Sequence, residues 1–173
     1  MISQSMSASL NRHLNNELYS ALLYLSMSSF AATLGLKGAA NWFAVQYREE
    51  MVHFMKFYAY INSQGENVRL GSLQEVPHEW GNLLEMFEAT LKHELFITGC
   101  INDLMDQALS EKDHATGIFL QWFITEQIEE EENDRDIIAK LKLVGDNPQG
   151  LLMLDGELAT RMFTVAPGDP AAV

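Results

Sequence analysis

Apolar residues recur at three- and four-residue intervals along four long stretches of the chain, the periodicity of amphipathic helices. The pattern predicts helices over about Gln4 to Thr33, Lys37 to Ser63, Trp80 to Leu109 and Asp113 to Val144. Gly35 and Gly38 punctuate the first two, Ser110 ends the third, Asp113 can cap the fourth, and Gly145, Asn147 and Pro148 stop it. Short links make the first two helices antiparallel neighbours, and the last two likewise. Between the second and third lies GENVRLGSLQEVPHEW, roughly sixteen residues and far longer than a bundle turn needs. A connection of that length can run along the bundle, so the third helix can start at the end where the second started. A short fifth helix fits about Gln149 to Phe163, and TVAPGDPAAV reads as a flexible tail. The expectation is one all-α domain over 1–163, a four-helix bundle with a long crossover and a short fifth helix, followed by a tail over 164–173.

Advancing about 100° per residue around each helix shows where every stripe is interrupted. The first stripe reads Leu10, Leu14, Glu17, Ala21, Tyr24 and Ser28; the second Ala39, Phe43, Tyr47, Glu50, His53, Phe54, Phe57 and Ile61; the third Leu83, Phe87, Leu91, Glu94, Ile97, Ile101 and Met105. The fourth is Phe119, Leu120, Phe123, Ile137, Ile138 and Leu141, continued through its middle by Gln127, Glu130 and Asp134. Those last three fall within the run TEQIEEEEND, where Glu129, Glu131 and Glu132 read, residue by residue, as a solvated flank. Glu17, Glu50, Glu94 and Glu130 each stand near the midpoint of a helix. Packing would bring them to about the same height, so they should converge.

An ionised carboxylate costs several kcal/mol to bury unless it is paired. The helical cations nearest the four acids, Arg12, Arg48, Lys56, Lys92 and Arg135, all project away from the stripes on the same angular count. Protonation of some of the carboxyls is one way out, but the simplest neutralising agent is one or two divalent metals, with His53 adding a nitrogen ligand. Glu50 and His53 form E-x-x-H, whose spacing puts both side chains on one face; with acids at the centres of three other helices the motif matches a di-metal carboxylate bundle. Asp134 stands where an apolar residue is expected, and is either hydrated, an extension of the metal path, or a sign of a misread helix phase. His13, one turn before Glu17, reads as structural, and His78, His93 and His114 as peripheral. Cys100, Trp122 and most of the methionines read as packing. Tyr24 is either a metal-site residue or a buried aromatic whose hydroxyl bonds a carboxylate.

Charge narrows the partners. Asp and Glu number 24 against 11 Lys and Arg, a formal charge of −13, which repels phosphate backbones and anionic membranes and attracts cations. The single cysteine excludes an internal disulfide framework and a Cys-rich zinc site. MISQSMSASLNRHLNNEL lacks the apolar core of a secretory signal, and no apolar run approaches 18 residues. The expectation is a soluble cytoplasmic protein with no nucleic-acid or membrane partner.

NNELYSALLY (Asn15 to Tyr24), YREEMVHF (Tyr47 to Phe54) and LQWFITEQIEEE (Leu120 to Glu131) resemble the non-haem bacterial ferritins of the ferritin superfamily, over about residues 5 to 163. The resemblance implies a ferritin-like bundle, an iron-storing shell of twenty-four subunits, and a ferroxidase that oxidises Fe(II) with O2, or H2O2, before depositing ferric oxyhydroxide inside. Glu17, Glu50 and His53 resemble the ligands of the first iron, with Glu50 bridging. Glu50, Glu94 and Glu130 resemble those of the second, and Gln127 the glutamine beside it. Glu49, Glu126 and Glu129, with Glu130, resemble a further acidic site on the cavity side, and Tyr24 the tyrosine next to the diiron centre. Because helix four offers Gln127-x-x-Glu130 in place of a second E-x-x-H, the second iron gets oxygen ligands alone and should be held less firmly. Met51 is placed like a haem-ligating methionine of bacterioferritins, but the missing second E-x-x-H argues for no haem. A metal-free acidic bundle protecting DNA is the remaining alternative, and the charge opposes it.

Overall fold

The computed structural model of the protein describes residues 2–164. They form α1 (Gln4–Thr33), α2 (Lys37–Ser63), α3 (Leu83–Ser110), α4 (His114–Val144) and α5 (Pro148–Leu158), with no strand among the described residues. The fold class is the expected all-α bundle. Beyond Thr164 the expected tail lies outside the described residues.

Local chemistry sets the helix ends. Ser3 Oγ accepts from Met6 N at the start of α1, and Asp113 Oδ1 from Thr116 N at the start of α4. Helix α3 begins at Leu83, three residues after the predicted Trp80, because Asn82 and Glu85 cap it reciprocally: Asn82 Oδ1 accepts from Glu85 N, and Glu85 Oε2 accepts from Gly81 N. Trp80 packs instead edge-on against Phe30. Helix α5 stops at Leu158 rather than Phe163, and the chain turns so that Asn41 Nδ2 donates to the carbonyls of Ala159 and Arg161. Gly38 is not punctuation; it lies inside α2, where an added Cβ would fall 1.6 Å from the Asp155 carbonyl oxygen of α5. Only glycine allows that approach, and it lets Asp155 Oδ1 accept from Ala39 N and cap α2 from another element.

The crossover tracks α1 from start to finish. Asn11 and Asn15 bond the backbone of residues 67 to 71, Ser26 Oγ donates to the Pro77 carbonyl, and Phe30 meets Trp80. Helix α3 therefore starts at the end where α2 starts, as the length of the link predicted. The dominant packing pairs are α1 with α2 and α3 with α4, while α5 rests on α2 and α4.

Two apolar clusters close the ends of the bundle. One holds Tyr24, Met27, Phe43, Phe87, Ile137 and Leu141, the other Leu10, Leu14, Phe57, Ile61, Ile101 and Phe123. Full burial of each large side chain contributes about 1.5–3 kcal/mol. Between the clusters lies a buried polar layer of Glu17, Gln46, Glu50, His53, Glu94, Gln127, Glu130 and Asp134. Most stripe positions are buried as expected; Ser28, Tyr47, Leu91, Met105 and Phe119 are half-buried instead, with Gln46, Thr90 and Leu104 buried beside three of them.

Candidate metal centre

The acids predicted to converge, Glu17 on α1, Glu50 on α2, Glu94 on α3 and Glu130 on α4, are all buried in the polar layer. His53 joins them, with Nδ1 3.6 Å from Glu17 Oε2 and 3.4 Å from Glu50 Oε2. One ligand atom from each of Glu17, Glu50 and His53 lies within 4.8 Å of the other two, and the same holds for His53, Glu126 and Glu130. Glu94 belongs to neither set. It is held by the Tyr24 hydroxyl, which donates to Oε1, and by Gln127 Nε2, which donates to Oε2 at 3.0 Å.

Four residues not counted as site residues in the sequence stand in or against this layer. Gln46, one turn before Glu50, donates from Nε2 to Glu130 Oε2 at 2.8 Å and to Glu50 Oε1 at 3.3 Å. His13 is buried, with Nε2 2.7 Å from Glu17 Oε1, so it orients the Glu17 carboxylate in the way that outer partners orient metal ligands. His93 is half-buried rather than peripheral and shares a 2.7 Å hydrogen bond with Ser20 Oγ; burial pushes its imidazole down to about 4. Arg161, beyond α5, pairs with Glu49 and lies over the Trp42 ring, supplying a cation that helical periodicity could not find. The i, i+4 spacing to Glu17 was a signal for His13; nothing in the pattern pointed to Arg161.

The acidic flank is mixed. Glu49 and Glu126 are half-buried, and burial raises both carboxyls. Glu129 and Glu132 are exposed as expected, whereas Glu131 is half-buried, accepting from Thr98 Oγ1 at 2.8 Å and from Arg135. Trp122 packs edge-on against His53 beneath Lys56. Asp134 is buried, so the helix phase was right. His78 and His114 are exposed.

Electrostatics divides the layer. Burial opposes ionisation of Glu17, but His13 and His53 together outweigh it and hold the carboxyl below the usual range. Glu50, Glu94 and Glu130 are each pushed up to about 8, first by burial and then by one another, and Asp134 up to about 9. His53 is raised well above its ordinary value: burial works against the cation, but Glu50 and Glu17 more than offset it. Such a layer binds cations by trading protons for them, and its donor set of carboxylates with one or two imidazoles suits a divalent transition metal.

Residues 7–144 match the family described as ferritin-like domain. A bacterial non-heme ferritin of Campylobacter jejuni subsp. jejuni is 39% identical, over 90% of this chain and 93% of its own length. A probable bacterial non-heme ferritin-like protein of Haemophilus influenzae is 37% identical, over 91% of this chain and 96% of its own. Among solved structures, an engineered closed form of the Archaeoglobus fulgidus ferritin superposes with a TM-score of 0.93 at 46% identity, covering 95% of this chain and 100% of that one. The helices and the crossover thus find their counterpart in known proteins, and this chain belongs to the ferritin family.

Proposed function

We propose that the protein stores iron: it oxidises Fe(II) at a diiron centre inside the bundle, with O2 or H2O2 as electron acceptor, and deposits ferric oxyhydroxide in a hollow shell of twenty-four copies. The observation that carries this reading is the convergence of four buried carboxylates and His53 in one layer of the bundle, an arrangement that a metal pair balances. Glu17, Glu50 and His53 take the first Fe(II); Glu50, reaching across, shares the second with Glu94 and Glu130. Tyr24 and Gln127 steady Glu94, and His13 steadies Glu17. Each iron gives up one electron, and the acceptor takes both.

Oxygen ligands alone at the second position favour departure of Fe(III), and Glu126, Glu49 and Glu129 mark its way out of the layer. The Arg161 pairing with Glu49 makes that exit conditional on the guanidinium swinging aside. Leu22, Leu25, Leu70, Leu95, Phe96, Leu152 and Met153 are exposed on the single chain, apolar area that assembly would cover. No described helix is long and apolar enough to cross a membrane, and the −13 charge opposes nucleic acid, in keeping with a cytoplasmic iron store without haem.

The test is aerobic Fe(II) feeding of metal-free protein, followed by gel filtration with protein and iron read together. Ferric iron co-eluting with a shell-sized particle, far beyond a few ions per subunit, is the expected result. Iron staying at two or three per subunit would leave a metal-binding bundle and no store.

A further inference from the structure

Among the described residues, Asp134 is a deeply buried carboxylate that the reading above leaves without a task. It is 1% exposed, and neither oxygen has a hydrogen-bond partner. Ile137 and Ile138, the next residues along its face of α4, offer no donor. As an anion it is uncompensated. Protonated, to which burial and the nearby Glu94 and Glu130 drive it against weaker opposition from Arg161 and Arg135, it still lacks an acceptor for its O–H.

A second buried oxygen shares the predicament. Gln46 Oε1 is without a partner, although Nε2 of the same amide is fixed on Glu130 Oε2 at 2.8 Å. Helix α2 runs antiparallel to α4, so Gln46, one turn before Glu50, and Asp134, one turn after Glu130, are displaced from the centre toward the same end of the bundle. Carboxylates at i, i+4 stand about 5–6 Å apart at Cβ, a span one cation can bridge. His53 lies on the other side of Glu50 along α2, one turn toward the opposite end of the bundle.

We propose that Asp134, Glu130 and the Gln46 carbonyl oxygen form a further metal position that takes one hard divalent cation, Fe(II) in an iron store, through oxygen ligands alone, adjoining the diiron centre on the side away from His53. The proposal rests on Glu130 being an iron ligand. It gives the second iron a neighbour at which Fe(II) can wait or from which it can move on, and it removes both unmet polar groups at once.

The experiment is anaerobic equilibrium dialysis of assembled, metal-free protein against Fe(II), with tightly bound iron counted per subunit, followed by exposure to O2. Wild type, Asp134→Asn, Asp134→Leu, Glu50→Ala and the Glu50→Ala/Asp134→Leu double variant are compared. Both Asp134 variants should bind one Fe(II) per subunit fewer than wild type, and the double variant one fewer than Glu50→Ala. Equal counts in wild type and both variants would overturn the proposal, as would a loss confined to Asp134→Leu, which is a packing effect. A higher melting temperature of metal-free Asp134→Leu with unchanged iron would identify a carboxyl that is merely buried. Failure of the diiron reading shows separately, as slow oxidation in wild type whatever the count. Should neither Asp134 variant assemble, anomalous scattering from iron-soaked wild-type crystals decides: a peak between Asp134 and Glu130 supports the position, and none there refutes it.

Discussion

Glu17 and Glu130 are both acids buried near the midpoints of long helices, 1% and 5% exposed, yet they are held in opposite states. Around Glu17 stand two imidazoles, and the carboxyl stays ionised despite its burial. Around Glu130, burial together with Glu94 and Glu49 outweighs the opposing pull of His53 and Arg161, and its carboxyl is pushed up to about 8. Burial alone therefore does not set the charge of this layer; the balance of imidazoles against neighbouring carboxylates does. The half with histidines is a ready receptor for a first cation. The half around Glu94 and Glu130 would gain its charge only as a second cation displaces protons, which on the proposed diiron reading orders the loading and leaves the second iron the looser one.

Glu50 touches both halves, so its removal breaks the comparison outright. In Glu50→Ala the fast phase of Fe(II) oxidation should fall by about 100-fold or more, read by stopped-flow absorbance, since even the outer partners of metal ligands cost about 10–100-fold when lost. His13→Leu attacks the nitrogen-rich half alone. Zn(II) affinity at Glu17 should drop by about 10–100-fold in calorimetry, and His13→Gln, which can still donate to Glu17, should recover much of it. On the opposite side, Tyr24→Phe and Gln127→Leu each free one oxygen of Glu94, and about a 10-fold slower oxidation is expected from either.

The pH dependence of the metal-free protein separates the halves without mutation. Glu50, Glu94, Glu130 and Asp134 have folded values above their unfolded ones, so the native state binds more protons, and their contribution is present below about 4 and lost as pH rises through about 8 to 9. His53, also raised, acts in the same direction above its ordinary value. Glu17, lowered, contributes stability above its unfolded value and loses it only in strong acid. The melting temperature should therefore fall from pH 5 to pH 9, by about 1.4 kcal/mol of stability per pH unit for each excess proton bound. Saturating Zn(II) should flatten the slope; a flat metal-free profile would mean the second half is already neutralised. The smallest effect is expected of Arg161→Ala, which frees Glu49 at a cost under about 1 kcal/mol because the pair is partly exposed.

Much of this was legible because helical period and side-chain chemistry coincide. An acid interrupting each of four apolar stripes is visible in one sequence, and it located Glu17, Glu50, Glu94 and Glu130; Glu50-x-x-His53 then placed an imidazole beside two of them. Gln46 was hidden because a glutamine near a stripe looks like surface, and His13 because a histidine at a stripe edge has many structural uses. Arg161 could not be found by angular counting, since it reaches Glu49 from outside the helices through the turn after α5. The ends of α3 and α5 were missed for tertiary reasons: a cap at Asn82 that competes with an apolar Trp80, and the Asn41 contacts that pull the chain away after Leu158.

On the proposed reading, the converging carboxylates hold two irons that O2 oxidises as a pair. The most direct test of that reading is to load metal-free protein anaerobically with two Fe(II) per subunit, mix with O2, and follow ferric absorbance in wild type and in assembled Glu50→Ala. A fast ferric phase accounting for two irons per subunit in wild type, largely absent in the variant, is the predicted result. Equal and slow oxidation in both would contradict the account and leave the buried acids as passive binders of cations.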